Sequence, residues 1–316
     1  MKFKRYQRII TLVLILFLGF SIFYYYYSPK RTKITIEPYQ DSDTINLVTF
    51  YSEGPPNDNG LDLSINKDKI LKQIEHFDNI ALYTPKILKD LGLDNYVKEY
   101  EKTGLVTRNK GMSKIGFCAW RPKIMLLELE KMNEGDILLY RDMNIKKYPL
   151  LGNYGNIRNV ILTILDIVKF DFFVSREHLF NIPLQLKNYA KTNVIRELGD
   201  DHPFTYNFPN LIADFIIVRK SNVSIQLLKE WENACLKEEW INGEQYGELH
   251  PSFRWSCPEQ SILGVIMANW VRKKIHNIPE HYPFIGIPFI GIKGRNINNM
   301  FLYDKNRDYD YLDLLK

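Results

Sequence analysis

Asp142 is the residue whose position most directly suggests chemistry. It follows an apolar run at residues 137–140 (Ile-Leu-Leu-Tyr) and Arg141, and Asn144 stands two places beyond it. A short continuous apolar run reads as a strand buried on both faces. Open α/β sheets bind ligands beyond the carboxyl ends of their strands. The Asp142 carboxylate is therefore expected to project into a crevice; its plainer role would be that of a strand-end turn former. Asp136, after Gly135, reads as a turn residue ahead of the same strand. Other chemistries find little support. Cys118, Cys235 and Cys257 form no C-x-x-C pair, and no histidine lies at zinc spacing from them. His202, His250, His276 and His281 are scattered, and neither a Ser-His-Asp triad nor a phosphate-cradling glycine loop is evident.

The elements that would position Asp142 alternate between strand and helix. Residues 45–51 are β-rich and break at Gly54-Pro55-Pro56. Apolar residues at Ile70, Leu71, Ile74 and Phe77 have helical spacing. A short strand follows at residues 80–83, then helix over 85–100 and again over 120–132, where Pro122 falls in the first turn. Residues 160–170 suit a helix or a pair of buried strands, and 180–189 a helix. Residues 213–218 (ADFIIV) read as strand, 223–235 and 261–270 as helices, and the proline-containing C-terminal part as loop with short strands. Such alternation predicts an α/β fold with a mostly parallel sheet flanked by helices.

At 316 residues and 25% charged, the chain has the composition of a globular protein. Residues 9–27 (IITLVLILFLGFSIFYYYY) carry no charge and would form a helix of ~28 Å, enough to cross a bilayer. Tyr24 to Tyr27 suit the headgroup layer. Bulky tyrosines occupy the place where a signal peptide would carry small residues, so an uncleaved anchor is expected. The organisation read from this is a basic cytosolic tail at 1–8, a transmembrane anchor at 9–27, a stem at 28–44 and one domain at 45–316. The net charge of +5 owes much to Lys2, Lys4, Arg5, Arg8, Lys30, Arg31 and Lys33. No basic stripe with interleaved aromatics remains to bind nucleic acid.

Three ordered segments carry a family likeness: Gly116-Phe117-Cys118-Ala119-Trp120-Arg121-Pro122 with Gly135-Asp136-Ile137-Leu138-Leu139-Tyr140-Arg141-Asp142; Ala213 to Ser221 with Trp231 beyond it; and Pro258-Glu259-Gln260-Ser261. The set resembles nucleotide-sugar glycosyltransferases of the GT-A fold, many of them type II membrane proteins with a short stem. The resemblance implies a GT-A-like, Rossmann-like sheet behind one N-terminal transmembrane helix, and a Golgi or endoplasmic-reticulum lumenal domain. It implies a hexose transferred from a nucleotide-sugar, a UDP-sugar by expectation, to a glycan, protein or lipid acceptor.

The same likeness suggests roles for individual residues. Thr49, Tyr51, Tyr83, Trp120, Arg121 and Asp142 would meet the nucleotide-sugar. Asp142 and Asn144 would hold Mn²⁺ or Mg²⁺, and Glu259 would act as general base. The usual two carboxylates of D-x-D are here Asp142-Met143-Asn144, which lowers the charge of the site. Structural readings stand beside these: Trp120 as core, Arg121 as a solvated helix-start cation, and Glu259 as a favourable first-turn residue. Lys191-Thr192 resembles a further family segment near the acceptor. A non-catalytic sugar- or protein-binding module is the alternative function. A glycoside hydrolase using Asp142 and Glu259 as paired carboxylates is a weaker one.

Overall fold

The computed structural model describes residues 44–52, 67, 71, 76–100, 115–143, 157–176, 178–179 and 182–278. The chain divides into two units, Met1–Tyr39 and Gln40–Lys316, and every described residue belongs to the second. The segment 9–27 expected to be an anchor lies outside the described residues, as do the stem and the C-terminal part from residue 279. Among the described residues no helix is long and apolar enough to cross a membrane.

The domain is α/β. Its main sheet has five strands: β1 (Ile45–Phe50), β2 (Asn79–Tyr83), β3 (Ile137–Arg141), β4 (Phe172–Arg176) and β7 (Leu211–Arg219), ordered β2-β1-β3-β7-β4. β5 (His178–Leu179) and β6 (Ile182–Pro183) make a separate two-stranded antiparallel sheet. β1 pairs in parallel with β2 and β3, whereas β7 is antiparallel to both β3 and β4. The expected mostly parallel sheet is thus a mixed one, with β7 inserted against the direction of its neighbours. Periodicity reports that a strand is buried, not which way it runs. β1 and β3 are buried at every residue, which explains their unbroken apolar sequences.

Helices flank the sheet. They are α1 (Pro85–Asp90), α2 (Trp120–Glu130), α3 (Ile157–Val168), α4 (Thr192–Leu198), α5 (Pro203–Asn207), α6 (Asn222–Cys235), α7 (Glu238–Ile241) and α8 (Pro258–Arg272). α2 packs on α6, α6 on α8, and α8 on β7. The hydroxyl of Ser221 caps α6 by accepting from the Ser224 N–H, in a reciprocal capping box. α8 starts at Pro258, whose missing N–H costs nothing in the first turn.

Two expected helices differ. The one at 85–100 stops at Asp90, and Gly92, with φ +73°, turns the chain into a 3₁₀ turn at Asp94–Val97. Of the segment 180–189, the described residues, 182–189, contribute β6 and a 3₁₀ turn at Leu186–Asn188 instead of a helix. Pro183, which has no N–H to donate, works against helix within that segment. The segment at 160–170 resolves to helix α3.

Candidate functional site

The site forms where the carboxyl end of β3 meets the first half of β7. The ladder pairs Tyr140 with Ile216 and Arg141 with Phe215. It continues one step further, where the Asp142 N–H donates to the carbonyl of Asp214 at 2.9 Å. Side chains alternate along a strand, and paired residues share a face. Tyr140, Asp142 and Asp214 therefore lie on one face of the sheet. Val48 pairs with Tyr140, so Phe50, two residues on, shares that face.

The start of α2 covers this face. The Trp120 ring stacks on Phe50 with centroids 3.7 Å apart. The Arg121 guanidinium lies 5.1 Å from the Tyr140 ring centroid and 5.6 Å from that of Trp120. Its entry into α2 is unusual, because Gly116, Phe117 and Cys118 all have positive φ, at 56°, 43° and 66°. At Gly116 a Cβ would meet the Tyr96 carbonyl oxygen at 2.1 Å, so only glycine fits. This tight left-handed bend delivers Trp120 and Arg121 into the interior.

Arg121 is only 2% exposed and its guanidinium forks between two carboxylates. One nitrogen donates to Glu259 Oε1 and the other to Asp214 Oδ1 at 3.2 Å. Glu259 comes from the first turn of α8, and its backbone carbonyl accepts from Trp231 Nε1 at 2.8 Å, which ties α8 to α6. Burial raises the Glu259 carboxyl above its ordinary range, with Arg121 pulling the other way. Burial also disfavours charge on Arg121, yet the carboxylates of Glu259 and Asp214 outweigh it and hold the guanidinium charged. Burial pushes the Tyr140 hydroxyl well up. Desolvation does the same to the Cys118 thiol, which removes it as a thiolate nucleophile.

Of the residues expected at a nucleotide-sugar site, the structure gathers Trp120, Arg121, Asp142 and Glu259. Arg121 is not a solvated helix-start cation, since burial and two carboxylates enclose it. The remaining candidates lie differently. The Thr49 hydroxyl is buried and donates to the Arg141 carbonyl at 2.7 Å, linking β1 to β3. Tyr51 lies just past β1, where Lys67 stands 5.0 Å over its ring. The Tyr83 hydroxyl donates to Glu128 Oε1 at 2.6 Å, and burial raises its pKa. Asn144 is outside the described residues. Asp136 accepts from the Asn133 N–H at 2.7 Å, as a turn carboxylate does. Sequence reasoning assigned no role to Asp214 or Tyr140. The available signal was a lone carboxylate inside the apolar strand at 213–218.

Lys191 forms a second buried polar centre. Its ammonium is 1% exposed as a residue and donates to the carbonyls of Glu239 at 2.6 Å and Asn242 at 3.0 Å. Burial lowers its pKa to about 8. Neighbouring Thr192 accepts from the His250 N–H at 2.8 Å, so this segment pins the loop that leads into α8.

Among the described residues no group of three or more His, Cys, Asp and Glu is arranged to hold a metal ion. Asp142 supplies one oxygen donor of the type suited to Mg²⁺ or Mn²⁺, which take one or two carboxylates and complete their shells with phosphates and water, whereas the Asp214 carboxylate is engaged by Arg121. No family model, curated protein or solved structure matches the chain.

Proposed function

We propose that the chain is a membrane-anchored glycosyltransferase that moves a hexose from a nucleotide-sugar, a UDP-sugar, to a glycan, protein or lipid acceptor. Residues 9–27 would be the anchor, with the domain in a Golgi or endoplasmic-reticulum lumen. The observation that carries the reading is the carboxylate of Asp142 at the carboxyl end of the central strand β3, opposite Asp214 and on the face covered by Trp120. Mn²⁺ or Mg²⁺ bound with the donor would neutralise the charge that develops on the departing diphosphate. Asp142 would hold that ion and Asn144 would assist. Arg121 is committed to Glu259 and Asp214, so its part is to fix those carboxylates rather than to grip the diphosphate.

A second reading, a sugar- or protein-binding module without catalysis, draws on the missing second carboxylate of Asp142-Met143-Asn144 and on the enclosure of Glu259 by Arg121. Screening the full chain against nucleotide-sugars for metal-dependent hydrolysis or transfer separates the two. Release of UDP in the presence of Mn²⁺ supports the transferase. No turnover, with no calorimetric heat on adding UDP and Mn²⁺, rejects it.

A further inference from the structure

Resting on the transferase reading, we propose that Asp214 is the residue that grips the sugar ring of the donor, and that Arg121 and Glu259 are the positioning pair behind it. Three observations lead there. First, Asp214 stands directly across the β3–β7 ladder from Asp142, on the same face. Adjacent strands lie about 4.8 Å apart. A group one strand over from the diphosphate site reaches the sugar joined to that diphosphate.

Second, the three charged side chains differ in access. Arg121 is 2% exposed and the Glu259 side chain 5%, whereas the Asp214 side chain is 15% exposed. Glu259 is the enclosed counter-charge, and Asp214 is the member that faces outward. The Arg121 fork fixes its carboxylate, so little rotamer freedom is lost when a ligand arrives. Third, the Trp120 indole N–H has no hydrogen-bond partner among the described residues, and the fully buried Tyr140 hydroxyl has only the Arg121 guanidinium beside it. Both belong to the layer of side chains that meets Asp142 and Arg121. Orphaned buried polar atoms require an explanation. A carboxylate that only accepts, beside a phenol and an indole N–H that donate, is a set suited to a ligand rich in hydroxyls.

The test is isothermal titration of the full chain, in detergent with Mn²⁺, by UDP and separately by UDP-glucose, UDP-galactose and UDP-N-acetylglucosamine. The expected result is that Asp214→Asn weakens the best-bound UDP-sugar about tenfold, as for one charged hydrogen bond, and leaves UDP itself unchanged. Asp214→Glu, which keeps a partner for Arg121 but displaces the oxygens, should show the same selective loss. Equal weakening of UDP and UDP-sugar, or unchanged affinity for both, overturns the assignment while leaving the transferase reading intact. If wild type binds UDP and none of the UDP-sugars, the assignment also falls. Failure of wild type to bind UDP at all removes the transferase reading and this inference together.

Discussion

The Arg121 guanidinium donates to the Glu259 carboxylate across 138 positions of sequence, joining the first turn of α2 to the first turn of α8 inside the core. Both residues are almost fully enclosed. Breaking such a pair costs more than never having built it, because the surviving charge is left in a low-dielectric site.

Arg121→Met should therefore destabilise the domain by about 3–5 kcal/mol, the range for removing one partner of a buried pair. Adding Glu259→Met should recover part of that loss, since no unpaired charge then remains at α8. Chemical denaturation of the two variants and wild type checks the order. A double variant no more stable than Arg121→Met would contradict it.

Asp142→Ala should remain folded and lose metal-dependent binding of the donor. Its backbone N–H, which pairs with Asp214, is untouched by the change. Thermal unfolding and calorimetry with UDP and Mn²⁺ report the two parts separately. Wild-type affinity in this variant would remove Asp142 from the site.

Lys191 should give stability an alkaline signature. Its pKa is lowered from 10.5 to about 8 by burial. Between those values the unfolded chain holds a proton that the folded chain has released, so stability rises with pH across that window. Lys191→Met removes the donor to the Glu239 and Asn242 carbonyls and should cost roughly 1–3 kcal/mol. The gap between wild type and variant should widen from pH 8 towards 10.5. A constant or narrowing gap would show that the folded state keeps the ammonium.

Tyr83→Phe separates a structural hydroxyl from a nucleotide contact. Glu128 would lose the hydrogen bond at 2.6 Å but keep Lys131 at 2.7 Å, so a loss of about 1 kcal/mol is expected. Affinity for UDP should not change. A large fall in that affinity would return Tyr83 to the nucleotide site.

Gly116→Ala tests the bend before α2. The left-handed conformation alone costs a non-glycine residue about 1–3 kcal/mol. The clash with the Tyr96 carbonyl comes on top of that. The melting temperature should fall, and UDP affinity with it, because the bend delivers Trp120 and Arg121.

The sequence by itself determined β1, β2, β3 and β7 and the longer helices α2, α6 and α8, but not β4 or the short β5–β6 pair. Continuous apolar runs such as 137–140 identify buried strands, and the apolar spacing within 223–235 identifies a helix, because these signals depend on neighbours along the chain. The carboxylate at the end of the central strand was legible for the same reason. Only the tertiary structure decided that β7 runs antiparallel, that Asp214 comes to lie opposite Asp142, and that Arg121 is enclosed by Glu259 instead of solvated. Strand direction and charge pairing depend on contacts between residues about 70 to 140 positions apart, and local spacing carries no record of them.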